Sequence, residues 1–353
     1  QHQNDGETVE YIQCYVQEFD RIDAVGGLLE VYDYLSREKV PALVKQMCTG
    51  WQSPRLHERT IDRAEGLYAT AKQSCGSMSE EFPLTVSQRR AVYAYLNGTD
   101  GEVTAVSGPP GTGKTTMLQS VVANLVTRNA LERADAPIIV GTSTNNQAVT
   151  NIISSFGSVA KDEPGPLDFR WLPQEEDGYA SADTSLRSLA VYCPSKAKLS
   201  QARKKYLVEQ TRKNHTYTVY SEEKYLTGAK DRFVISAHAY FGHSADIAEL
   251  QQLIHGTLLE LDKYRIKLLE TMESQGRSSG YLDLCAKVEA SEYLRSTDKV
   301  TDLKDCTSLE ELDQKLDVTL RYAQFWLAVH YYEAQWLLNE DFIEPDDRWK
   351  NTP

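Results

Sequence analysis

Apolar residues recur at three- and four-residue steps through most of the chain, and at two points they collapse into short continuous runs. Leu28, Leu29, Val31, Tyr32 and Leu35 form a helical stripe that Pro41 interrupts, and a second helical stretch covers about residues 60–72. Gly76-Ser77-Met78-Ser79 reads as a linker, and residues 87–96 as a short helix that Asn97-Gly98 stops. The pattern then changes. Val103-Thr104-Ala105-Val106 predicts a strand, residues 107–113 a Gly/Pro-rich turn, and residues 114–128 a helix. The apolar run Ile138-Ile139-Val140 predicts a buried strand, and residues 146–156 a helix. Strand, loop, helix, strand, helix is the order of a parallel α/β sheet. Residues 157–187 are irregular, and Leu189 to Tyr192 offer a third strand that Pro194 ends. From Lys196 onward the pattern is helical. Ile247, Leu250, Ile254, Leu258, Leu261, Tyr264, Leu268 and Met272 mark one long amphipathic helix. Its apolar stripe needs partners, and residues 196–213 and 308–338 are the candidates.

Composition narrows the class. The 353 residues are 41% hydrophobic and 25% charged, which are globular values. No apolar run reaches the roughly 18 residues of a membrane span. Leu320 to Leu338 comes nearest, but Arg321, His330 and Glu333 interrupt it, so it reads as a buried helix. Residues 1–23 are polar and acidic, with no apolar block of a signal peptide. The chain lacks an initiator Met and closes on a polar tail, so it reads as a piece of a longer protein. Its six cysteines are far apart and form no C-x-x-C pair. They predict neither a zinc site nor a disulfide framework, and they fit a reducing cytoplasm. The net charge of −13 is unevenly spread. Residues 1–35 hold eight acids against Arg21, whereas residues 196–232 hold ten bases against four acids.

Chemistry concentrates in Gly108-Pro109-Pro110-Gly111-Thr112-Gly113-Lys114-Thr115, which fits G-x-x-x-x-G-K-[ST] between an expected strand and an expected helix. Glycines let the backbone curl so that successive N–H groups face phosphate oxygens. The following helix adds the positive end of its dipole. Pro109 and Pro110 lack N–H groups and leave the cradle to residues 111–116. Lys114 would sit on the β- and γ-phosphates of a nucleoside triphosphate. The Thr115 hydroxyl would ligate Mg²⁺, with Thr116 beside it. Upstream, Gln88 opens a helix about 20 residues before the loop. Its amide suits an adenine edge, and it suits equally a plain helix cap. Downstream, Thr144, Asn145 and Asn146 lie at the carboxyl end of an expected strand, where open sheets place ligands. Ordinary helix capping accounts for half of that stretch.

Together, Leu84-x-x-Ser87-Gln88-x-x-Ala91-Val92, the Gly108–Thr115 loop and the Thr144–Val149 block resemble superfamily 1 helicases of the Upf-like branch. The resemblance is clear over residues 82–156. It implies that the three blocks are the Q motif, motif I and motif Ia, the last touching the backbone of a single strand. Ser143 is a departure, since many relatives carry proline there. The family's acidic pair after a second buried strand is not found. Leu258-Leu259-Glu260-Leu261-Asp262 and Leu337-Leu338-Asn339-Glu340-Asp341 both fall in helical pattern. The arginine finger and the second RecA-like lobe are also missing. The resemblance thus implies an ATP- and Mg²⁺-binding piece with feeble hydrolysis.

The expected plan is a helical region over 1–81, a RecA-like P-loop NTPase core with an incomplete parallel α/β sheet over 82–195, and a helical insertion over 196–345. In that insertion Arg203, Lys204 and Lys205 lie among ten cations, with Tyr206, Tyr217, Tyr220 and Tyr225 between them. Cations for phosphates and rings for bases suit single-stranded DNA or RNA; a solvated helix face has the same composition. The long helices are also a candidate docking surface for a protein partner. His238, His243 and His255 show no metal-ligand spacing and read as ordinary histidines.

Overall fold

A computed structural model describes residues 2–4, 7–9, 26–37, 40, 44–45, 69–98, 102–143, 146–157, 165–173, 188–194, 198–202, 206–209, 220–291 and 298–339. The chain divides into two units, residues 1–58 with 100–103, and residues 59–99 with 104–353. In the first, strands β1 (His2–Asn4) and β2 (Glu7–Val9) pair antiparallel, and helix α1 spans Gly26–Arg37. Leu29 and Tyr32 of α1 are exposed.

The described part of the second unit is mainly helical. In chain order it holds α2 (Val86–Leu96), α3 (Lys114–Leu131), α4 (Asn146–Gly157), α5 (Leu199–Ala202), α6 (Glu223–Phe241), α7 (Ile247–Gln275) and α8 (Ser279–Glu289). A 3₁₀ helix (Asp298–Asp305), α9 (Leu309–Asp317) and α10 (Leu320–Leu338) complete it. Helix starts are written in the sequence. Asp246 accepts the Glu249 N–H at 2.8 Å, and Ser308 accepts that of Glu311 at 3.2 Å. Gly276, at φ +60°, stops α7.

Helix α10 is the axis of this unit. It is buried on nearly every side, as a helix apolar all round must be, and α7, α3, α9 and α6 pack around it. The stripe expected on α7 is its inner face: Leu250, Ile254, Leu258, Leu261 and Leu268 are fully buried. Of the two candidate partners for that stripe, residues 308–338 take the place, through α10 and α9. Most of 196–213 lies outside the described residues.

The polar interruptions of α10 are each answered. Arg321 and its neighbours form a buried charge cluster. Its guanidinium pairs with Asp313 at 2.6 Å and with Asp317 at 2.8 Å, and donates to the carbonyls of Ala71 and Ser74. Arg89 of α2 completes the cluster, meeting Asp317 at 2.5 Å and Asp313 at 3.2 Å. The Tyr93 hydroxyl donates to Asp313 at 2.8 Å. Two guanidinium groups and two carboxylates thus cancel in the core. Burial would raise the Asp313 pKa, but Arg321 and Arg89 overcome it and hold the carboxyl below its usual range. Further along α10, His330 stacks on Trp171 with ring centroids 3.7 Å apart. Its Nδ1 faces Glu333 Oε2 at 2.9 Å, and its Nε2 faces the Leu167 carbonyl at 2.9 Å. Glu333 also pairs with Arg170 and accepts the Trp171 N–H at 3.1 Å. These bonds fasten residues 165–173 to α10.

The expected parallel sheet is not formed among the described residues. Residues 103–106 and 138–140 carry no strand pairing, and Ile138 is 94% exposed. A parallel strand is stable only with neighbours in its ladder and cover on both faces. Here no described strand lies beside either run. Of the third expected strand only an isolated parallel bridge, Tyr192 to Val208, is present. The buried core is built from helices instead, with α3 packed on α10.

Burial also works to raise the Glu333 pKa, and Arg170 with His330 brings it down below the usual carboxylate range. A carboxyl depressed in the folded state lends stability above its unfolded pKa, and loses it as pH falls toward the folded value. Acidification from pH 5 downward, followed by urea unfolding monitored by circular dichroism, should therefore lower the unfolding midpoint progressively. Glu333→Gln should cost on the order of 3 kcal/mol at pH 7, because it strips a buried charge network of one partner, and should flatten that acid dependence.

Candidate nucleotide-binding site

The loop that joins residue 107 to α3 is bent by its glycines. Gly111 and Gly113 take φ +80° and +74°, a left-handed region that side-chain-bearing residues avoid. Gly113 is also the N-cap of α3 and offers no side-chain cap. The first N–H groups of an 18-residue helix are therefore left without a side-chain acceptor beside an exposed loop. That is the elementary condition for anion binding.

Side chains organise the loop from within. The Lys114 ammonium donates to the carbonyls of Gly108 at 2.6 Å and Pro109 at 2.7 Å, so its charge is held over the loop. The Thr112 hydroxyl donates to the Pro109 carbonyl at 2.9 Å. Pro110 is exposed in the turn, and Thr115 and Thr116 lie half-buried in the first turn of α3. The Thr115 hydroxyl is a hard oxygen donor, which fits Mg²⁺ as one ligand among phosphates and waters. No group of three His, Cys, Asp or Glu side chains among the described residues could hold a metal. The phosphates would have to bring most of the coordination.

Gln88 sits against this loop, in a role that its spacing alone did not reveal. Its Nε2 donates to the carbonyls of Thr112 and Gly113, both at 3.2 Å. Its Oε1 accepts the Thr85 N–H at 2.9 Å and the Thr85 hydroxyl at 3.0 Å. Thr85 is the N-cap of α2, and the two residues form a capping box. The helix-cap expectation for Gln88 is met by this capping box, and the same side chain also bonds the loop backbone. All four hydrogen-bonding capacities of the amide are used inside the protein.

The remaining candidates are not brought to this loop by any described contact. Thr144, Asn145, Arg203, Lys204 and Lys205 lie outside the described residues, as do the side chain of Asn146 and Tyr217. Tyr220 and Tyr225 meet edge to face, and the Tyr225 hydroxyl donates to the Pro173 carbonyl at 2.8 Å. Tyr225 is a core residue, not a free stacking ring. His255 faces Arg133 and the Leu131 carbonyl, and His238 faces Ser244, so both act as ordinary polar side chains. Asp262, in one of the two acidic runs weighed above, lies on α7 and is occupied by Arg265 and Gln324. Cys75, Cys285 and Cys306 are buried free thiols, and burial pushes Cys75 and Cys306 up to about 11. A protonated buried thiol is a small apolar side chain.

Asn124 of α3 escaped the sequence reading. Its amide oxygen accepts the Cys75 N–H at 2.7 Å, and its nitrogen donates to the Gly76 carbonyl at 3.1 Å. These bonds tie the segment before α2 to the helix that follows the loop. A Cβ on Gly76 would collide with the Ala123 carbonyl, so the close approach requires glycine.

Residues 83–217 match the family model of an AAA domain of the superfamily 1 helicase type. The matched stretch starts just before the Thr85 cap and contains the whole loop. Such a domain implies a P-loop and nucleotide binding. No curated protein and no solved structure matches the chain. No helix among the described residues is long and apolar enough to cross a membrane.

Gly113→Ala should be the most damaging single change in the loop. The new Cβ would sit at positive φ and collide with the Gln88 amide. The expected loss is about 1–2 kcal/mol from backbone strain alone. Gly111→Ala, where a Cβ meets open space, should pay only the conformational part. In a Gln88→Ala background the excess of Gly113→Ala over Gly111→Ala should vanish, which thermal melts of the four variants can measure.

Proposed function

We propose that the chain is the ATP-binding part of a superfamily 1 helicase or translocase that works on single-stranded DNA or RNA. The observation that carries this reading is the uncapped N-terminus of α3 behind two positive-φ glycines, with the Lys114 ammonium held over the loop. Phosphate oxygens would replace the loop carbonyls as partners of Lys114 and take the N–H groups of residues 111–116. The Thr115 hydroxyl would be the protein ligand that holds Mg²⁺, and the ion would supply positive charge to offset that of the phosphates. Gln88 would turn its amide from Thr112 and Gly113 to an adenine edge, so that base and loop compete for the same donor.

The nucleic-acid part of the reading rests on the family likeness and on the basic segment. Thr144, Asn145 and Asn146 would meet the strand backbone, and Arg203, Lys204 and Lys205 would add phosphate contacts. A second reading is an ATP-dependent switch that docks a protein partner through its long helices. Ile235 on α6 and Leu259 on α7, both exposed, favour it. Strand displacement by the full-length protein separates the two.

Lys114→Ala should abolish binding of a fluorescent ATP analogue, read by anisotropy, while leaving the melting temperature within a few degrees. Turnover by the unaltered chain should be near background, because no acidic pair among the described residues is placed at the loop to activate water. Neutralising Arg203, Lys204 and Lys205 together should weaken single-strand affinity. It should also lower the slope of log affinity against log salt by about 2, at roughly 0.7 per lost phosphate contact. An unchanged slope removes that track.

A further inference from the structure

We propose that Arg89 is a positioning residue for the nucleotide site: its buried pairing with Asp317 and Asp313 sets where helix α2 begins, and so sets the reach of Gln88. The inference rests on the reading of residues 108–116 as a nucleotide loop.

Gln88 and Arg89 are consecutive in the first turn of α2, and their side chains leave the helix in different directions. Gln88 meets the loop at Thr112 and Gly113, while Arg89 enters the corner between α9 and α10. One carboxylate oxygen, Asp317 Oδ2, accepts both the Leu84 N–H at 3.1 Å and the Arg89 Nη2 at 2.5 Å. A single atom on α9 therefore fixes the entry to α2 and its first turn together. Arg89 also donates to the Tyr93 hydroxyl at 3.3 Å, and Tyr93 in turn holds Asp313. Among the described residues, these groups hold the starting turn on the α9–α10 side, and the Gln88 amide ties it to the loop.

The distances show why the pinning matters. The Gln88 bonds to the loop are both 3.2 Å. A displacement of α2 by about 0.5 Å would carry them past the length at which an amide hydrogen bond still counts. Stability alone does not account for the cluster. Buried ion networks of this kind are often replaced by apolar side chains at no loss. What an apolar replacement cannot supply is a directional fork that fixes one helix start. Arg321 differs from Arg89, since it also holds the carbonyls of Ala71 and Ser74, so its removal would disturb the whole corner.

The test is a double-mutant cycle on the whole chain, with anisotropy titrations of fluorescent ATP and GTP and of competing tripolyphosphate. Arg89→Lys keeps the charge and loses the fork. It should weaken ATP binding about tenfold and shrink the preference for ATP over GTP, while tripolyphosphate affinity stays within twofold. In a Gln88→Ala background, Arg89→Lys should cause no further loss of that preference, because the side chain it positions is gone. A folded Arg89→Lys protein that binds and discriminates like the unaltered one overturns the proposal. So do losses that simply add to those of Gln88→Ala. If Arg89→Lys does not fold, Tyr93→Phe, which removes one brace from the fork, should show a weaker version of the same pattern. If neither variant folds, Arg89 is structural and the proposal fails. Absence of ATP binding by the unaltered chain would instead overturn the nucleotide reading, and this proposal with it.

Discussion

Two arginines and two aspartates neutralise one another inside a helical core, and the rest of the second unit is arranged around that fact. Arg321 and Asp317 are one turn apart across the α9–α10 corner, and Asp313 is one turn earlier. All four are buried. Each charge must therefore find its partner in the protein, and the partners come from segments far apart in sequence. The carbonyls of residues 71 and 74 and the first turn of α2 are drawn to the same point. The constraint is strict because an unpaired buried charge costs several kcal/mol, far more than a misplaced leucine. It brings the start of α2 to one definite place, and the phosphate loop lies next to that start.

The helices were legible because their signals are local. Thr85, Asp246, Ser278 and Ser308 each precede an apolar period and each cap a helix. The reading of 320–338 as buried despite three polar interruptions also holds, since Arg321, His330 and Glu333 all lie inside and paired. The bend of the loop was legible from its glycines, since Gly111 and Gly113 both take positive φ. The partners were not. Nothing in the order Arg89, Asp313, Asp317, Arg321 says that residues more than 200 positions apart will meet. Asn124 gives no hint of clasping residues 75–76. These are tertiary facts, and a single sequence carries no signal for them.

The strands were misjudged for a physical reason that the same distinction explains. A helix satisfies its own backbone, so periodicity suffices to foresee it. A strand borrows its hydrogen bonds from a neighbour, so composition shows only the capacity to pair. Residues 103–106 and 138–140 have that capacity, and among the described residues they have no neighbour. The apolar run at 138–140 is therefore spread along the surface in place of a core position.

The stacking of Trp171 on His330 has an optical consequence. An imidazole stacked face to face on an indole drains its excited state. The indole should glow dimly while residues 165–173 are clasped to α10 and brighten when they let go. Because the chain holds five tryptophans, following that clasp without an attached dye calls for a variant in which Trp171 is the one indole left.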